Sequence, residues 1–308
     1  MTLTVENRRE LEVLEARLKT ILPEEYQQSY EQLAPVPMRS AGLKFSADGR
    51  VAWNEIWGSF CDLAMAGGPP HKGTLLEPGA EAAIAAAPTQ YEAVTEEICR
   101  GIMMAAQLEA DPSPSPGWVR VICLSDAMAG WLLRAIVMEN VAVTREGVAL
   151  DLPAAPHFRL EKEIKNVVTV IAKTSHYWLE HMPRSQQRAI AHLFATLDRD
   201  APLTVPGACD DSAAAGDQRV RDSVTQRIQS ATGLTPSARR YPGWLGLDCS
   251  GVRRAIWMMR ALVASNVLAR REEATLFVPI NGETDPGGDR VVRTVSLVHA
   301  LAAAKAID

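Results

Sequence analysis

The segment WLLRAIVMENVAVTREGVALDLP at residues 131 to 153 returns 126 residues later as WMMRALVASNVLARREEATLFVP at 257 to 279. Extended without gaps, residues 116 to 153 and 242 to 279 share 15 identities in 38 positions. Random pairs of this composition would share about two or three, so the likeness marks a repeat of fixed period. The identities include Gly117/Gly243, Trp118/Trp244, Cys123/Cys249, Trp131/Trp257, Arg134/Arg260, Asn140/Asn266, Arg145/Arg271 and Glu146/Glu272. Upstream the likeness weakens, but LLEPGA still pairs with LTVPGA after a two-residue slip. The chain therefore reads as a first unit over 50 to 176, a second over 177 to 308, and an N-terminal helical extension over 1 to 49.

A length of 308 residues is usual for two cores rather than one. The balance of 47% apolar and 22% charged residues is that of a globular protein, and a net charge of -5 argues against a nucleic-acid surface. The N-terminus MTLTVENRRELEVLEARL has charges where a signal peptide needs an apolar run, and no run of 18 apolar residues occurs. A soluble cytoplasmic protein with no membrane partner is expected, with a homo-oligomer left open. Cys61, Cys99, Cys123, Cys209 and Cys249 are odd in number, widely spaced and without a CxxC, which predicts free thiols.

Within each unit the pattern alternates. WLGLDC is a short apolar run bounded by RRYPG and SG, and reads as a buried strand. Ser250 is the expected cap of a following helix through VRRAIWMMRALVASN, with Asn266 ending it in the left-handed conformation. Ser125 or Asp126 and Asn140 do the same in the first copy. VALDLP and ATLFVP read as strands, each followed by a long helix, and TLLEP and LTVP as weak opening strands. Such alternation predicts an α/β fold: a tandem duplication with three mostly parallel strands per unit, helices on both faces, and pseudo-two-fold symmetry.

In parallel sheets of that kind ligands bind beyond the carboxyl ends of strands. Cys123 and Cys249 stand there, just before a helix start, where dipole and free amides favour a thiolate. Ser250 and Gly251 open the second-copy helix and Arg253 and Arg254 lie in its first turn, a cradle for phosphate or carboxylate. The first copy has Ala127 and Met128 in place of the arginines. AGGPPHKGT is not a phosphate loop, because Lys72 precedes the last glycine and two prolines remove amide donors. Its His71 and Lys72 remain candidates to reach a ligand, as does His157 in PAAPHFR.

Other clusters carry a structural reading. His176 and His181 are five apart, about 140° around an α-helix, so they are not expected to share one metal. The acidic NGETDPGGDR fits no calcium loop and reads as a solvated turn. Arg134 and Arg260 are expected to stack on Trp131 and Trp257 and to pair with Glu146 and Glu272. No motif names a reaction.

The reading that follows is a cytoplasmic enzyme binding a small anionic metabolite or cofactor in the crevice between two α/β halves. Ser250, Gly251, Arg253, Arg254 and Lys72 would bind, Cys249, Cys123, His71 and His157 would do chemistry, and no metal site and no particular cofactor is indicated. One alternative is metal or tetrapyrrole handling, since two α/β halves facing a cleft resemble the architecture of type II chelatases. The other is a non-catalytic assembly or regulatory protein that presents Trp53 and Trp57 on an apolar stripe.

Overall fold

The computed structural model describes residues 5–27, 42–56, 70, 72–207 and 214–307. The chain divides into a middle unit, Leu33–Ala191, and a terminal unit, Met1–Gln32 with His192–Asp308. The terminal unit opens with α1 (Val5–Ile21) and α2 (Glu24–Gln27). The middle unit runs through a short 3-10 turn at Trp53–Glu55, α3 (Glu81–Ala86), α4 (Pro88–Ala106), β1 (Glu109–Pro112), β2 (Trp118–Ile122), α5 (Asp126–Met138), β3 (Thr144–Glu146), β4 (Ala149–Pro153) and α6 (Lys165–His176). After α7 (Arg184–Asp200) come α8 (Ala214–Thr232), β5 (Thr235–Pro236), β6 (Trp244–Asp248), α9 (Val252–Ala264), β7 (Arg270–Glu272), β8 (Thr275–Pro279) and α10 (Asp289–Ala304).

The expected parallel sheets are not what forms. Each unit holds a four-stranded antiparallel sheet, in the orders β1-β2-β4-β3 and β5-β6-β8-β7. The helix α5 does carry the chain from β2 to a strand of the same direction, β3, since both run antiparallel to β4. A turn at Gly147 and Val148 then reverses the chain, and β4 inserts between the two. The terminal unit repeats this with β6, α9, β7 and β8, turning at Glu273 and Ala274. The four strands that were missed, EADP, TRE, TP and RRE, are short and polar, so apolar periodicity does not mark them. The opening segments keep one parallel bridge each, Leu76 to Val141 and Thr204 to Val267.

The same hydrogen bonds recur in both units. Cys123 N donates to Val148 O and Cys249 N to Ala274 O, both at 3.0 Å; Ala154 N donates to Gly117 O and Ile280 N to Gly243 O, both at 2.7 Å. Asn140 and Asn266 end their helices at φ 58° and 62°, as their positions predict. In α5 every residue from Met128 to Met138 is buried, and in α9 every residue from Ala255 to Ala264. A helix apolar on all sides must lie inside its unit, and α5 packs on α6 while α9 packs on α10 and α1.

One face of each sheet diverges. In the middle unit Arg120 clasps Asp151 through Nε and Nη2, both at 2.9 Å, and Glu146 at 3.1 Å. Gly246 and Phe277 take the places of Arg120 and Asp151 in the terminal unit. There Arg270 lies over the rings of Phe277 at 4.0 Å and Tyr241 at 4.3 Å and donates to Glu272 at 2.7 Å. Glu146 meets Arg120 and Glu272 meets Arg270 and Arg239, while Arg134 Nη1 donates to Gly130 O within its own helix.

Two further expectations change. Trp53 is fully buried, with Nε1 donating to Glu97 Oε1 at 2.8 Å, so it presents no apolar stripe to a partner; Trp57 lies outside the described residues. The loop at 281 to 289 is only partly solvated. Asn281 and Asp285 are buried; Asn281 Oδ1 accepts from Glu283 N and Thr284 N, and Asp285 accepts from Arg290 N and Val291 N at the start of α10.

Candidate functional site

Five of the residues singled out in the sequence, Cys249, Ser250, Gly251, Arg253 and Arg254, stand where β6 passes into α9. The helix starts at Val252, and its cap is Gly251, which offers no side-chain acceptor; Ser250 is exposed and is not the cap. In the middle unit Ser125 does cap α5, its Oγ accepting from Met128 N at 3.2 Å. Asp126 fills the first turn of α5 and pairs with Arg145. Position by position, Asp126, Ala127 and Met128 become Val252, Arg253 and Arg254. A capped, acidic helix start has been exchanged for an uncapped, cationic one.

Arg253 is exposed, whereas Arg254 is half-buried and turns toward α10, donating from Nη2 to His299 Nε2 at 3.2 Å. That direction requires a neutral His299, and burial, then the neighbouring guanidinium, lower its pKa. Arg254 Nε, Trp257 Nε1 and Ser296 Oγ are buried with no hydrogen-bond partner among the described residues. Trp257 is one turn after Arg254 on α9 and Ser296 one turn before His299 on α10. Sequence reasoning missed His299 and Ser296 because both lie in the apolar run of α10, 45 residues from Arg254 in His299's case.

Burial opposes a thiolate at Cys123 and Cys249. Burial pushes the Cys123 thiol up to about 12 and the Cys249 thiol to about 11, against the smaller opposing effects of Arg145 and Arg254. Both are thiols at neutral pH, because desolvation of the anion outweighs the helix start. Cys99 is likewise buried and pushed up to about 12.

The remaining candidates are dispersed. Cys61, Cys209 and His71 lie outside the described residues. His157 is exposed in the middle unit with its ring edge-on to Phe158, 5.2 Å between centroids. Lys72 is held by Asn140 Nδ2, which donates to its carbonyl at 3.0 Å, and its Nζ lies 3.7 Å from Glu163. Glu163 also accepts from Arg159 N, Nε and Nη2. Those hydrogen bonds hold the Glu163 carboxyl down at about 2, from an ordinary 4.5. A carboxyl lowered by folding stabilises above its unfolded pKa and loses that contribution as pH falls through the folded one. The stability gap between the parent protein and Glu163→Gln should therefore be full above pH 4.5 and close as pH falls toward 2, measured by urea titration at stepped pH. A gap constant across that window would remove the assignment.

No family model matches the chain, and no curated protein or solved structure matches it. No helix among the described residues is long and apolar enough to cross a membrane.

Proposed function

We propose that this is a cytoplasmic protein formed by tandem duplication, whose terminal unit captures the phosphate or carboxylate of a small metabolite at the amino end of α9. The observation that carries the reading is the exchange at the helix start. The middle unit supplies its own cap and carboxylate, Ser125 and Asp126, whereas the terminal unit has Gly251 and Val252 there, followed by two arginines. First-turn amides without a side-chain cap and a guanidinium donor are what an oxyanion satisfies. Arg253 and Arg254 provide charge, Ser250 a hydroxyl, and Gly251 room for close approach.

The raised thiol pKa values favour a packing role for Cys249 over a nucleophilic one. His299 is neutral, its Nε2 accepting from Arg254, and helps to orient that guanidinium.

Binding of this kind raises stability by mass action, about 2.7 kcal/mol at a hundredfold excess over Kd. Calorimetric melting with inorganic phosphate and with dicarboxylates should show such a rise in the parent protein. Arg253→Ala with Arg254→Ala should abolish it while shifting the apo melting temperature by only a few degrees. Equal stabilisation of parent and variant would overturn the reading.

A further inference from the structure

The carboxyl end of α6 does not continue as an α-helix. It passes into a π-type turn at Tyr177–His181, closed by Met182 N donating to Tyr177 O across five residues at 3.0 Å. The 140° separation expected for His176 and His181 assumes 3.6 residues per turn. A wider turn closed at five residues brings positions five apart onto one face. The two Nε2 atoms stand 3.1 Å apart, and the rings meet edge to face at 4.9 Å between centroids. Sequence spacing alone pointed away from this pair, and the π turn is the reason.

We propose that His176 and His181 form a two-imidazole site for a divalent late transition-metal ion such as zinc, nickel or copper. Metal–imidazole bonds are about 2.0–2.1 Å, so nitrogens 3.1 Å apart subtend roughly 100° at a shared ion, between octahedral and tetrahedral angles. The Glu180 carboxylate lies 3.1 Å from His176 Nδ1. A carboxylate there accepts the Nδ1 hydrogen, fixes the tautomer, and leaves the Nε2 lone pair for the metal. Glu180 is thus a positioning residue and the imidazoles are the ligands.

Among the described residues no group of three or more His, Cys, Asp or Glu side chains is arranged to hold a metal ion. The protein therefore contributes two bonds, and water or a bound molecule completes the coordination. A closed four-ligand site is structural, whereas one with open positions exchanges its ion and accepts an outside donor. A cavity of about 420 Å³ lies alongside, lined by the same His176 and Glu180 together with Gln107, Leu124, Ala172 and Leu179. Its mixed lining suits a small, partly apolar molecule with a metal-binding end. The site belongs to the middle unit and does not depend on the anion reading of the terminal unit.

The test is calorimetric titration of the untagged full chain with zinc chloride. One saturable site is expected. His181→Ala, an exposed position, should abolish it without disturbing the fold, and His176→Ala should do the same. Glu180→Ala should weaken binding about ten- to hundredfold, whereas His192→Ala, exposed on α7, should leave it unchanged. Cobalt(II) in place of zinc should give a visible band without the near-ultraviolet thiolate transition. Absence of saturable zinc binding, its survival in His181→Ala, or a thiolate band in the cobalt spectrum would each overturn the proposal.

Discussion

Lys173→Met is expected to destabilise the middle unit by about 3–5 kcal/mol, a large share of the stability of an ordinary domain. Lys173 Nζ meets Glu139 Oε1 at 2.6 Å, and the two side chains are 4% and 0% exposed. Glu139 follows the last turn of α5 as its C-cap, where the negative end of the helix dipole disfavours a carboxylate. The cation supplied by α6 offsets that, so methionine of similar bulk leaves a buried anion without this counter-charge. The pair as such need not be worth much, because desolvating two ions consumes most of their attraction. Lys173→Met with Glu139→Gln should therefore recover most of the loss. Urea unfolding followed by circular dichroism decides the matter: a single variant within about 1 kcal/mol of the parent would show that the pair is not the constraint its burial implies.

Gly243→Ala and Gly117→Ala are each expected to cost about 2–4 kcal/mol. Gly117 sits at φ +90° and Gly243 at φ +65°, in the left-handed region that L side chains rarely adopt. A methyl group at Gly117 would stand 2.8 Å from Gly79 O and 3.1 Å from Pro78 Cβ. At Gly243 it would stand 2.7 Å from Gly207 O and 2.8 Å from Pro206 Cβ. The obstacle is backbone in both cases, so no rotamer change relieves it. The PGW of each hairpin and the PGA of each opening segment are thus two halves of one contact, made once per unit. Gly147→Ala is the control. It is also left-handed, at φ +57°, but has nothing within 4 Å, so it should cost only about 1 kcal/mol. Equal losses at Gly147 and Gly243 would mean that close approach contributes nothing.

The repeat was legible because it depends on identity at fixed spacing, and its members do matching work. Asn140 and Asn266 end helices, Gly117 and Gly243 admit a neighbouring backbone, and Cys123 and Cys249 sit at the same strand end. The central helices were legible too, since an apolar run of that length with a left-handed terminator has few other solutions. The pairing of strands was not. β3 and β7 are three polar-leaning residues apiece, TRE and RRE, and they carry the reversal that places β4 beside β2 and β8 beside β6.

The candidate sites divide along the same line. The arginines at the start of α9 could be found by comparing copies, because Ala127 and Met128 stand opposite them. His299 could not, since only the packing of α10 on α9 brings its imidazole to Arg254. Cys123 and Cys249 stand at helix starts that favour a thiolate, but burial pushes both thiols up, and that burial is set by the surrounding fold. α-Helical angles place His176 and His181 on different faces, and a single π turn brings them together.

The sequence by itself determined that two stretches of the chain are alike, where their central helices end, and that two arginines in the second copy stand opposite Ala127 and Met128 in the first. These are local matters of residue identity and spacing. Tertiary structure alone decided the antiparallel order of the strands, the protonation state of the thiols, and the meeting of side chains from separate helices or across a widened turn. Each of those is set by what lies within a few ångströms in space, which period and propensity along the chain do not encode.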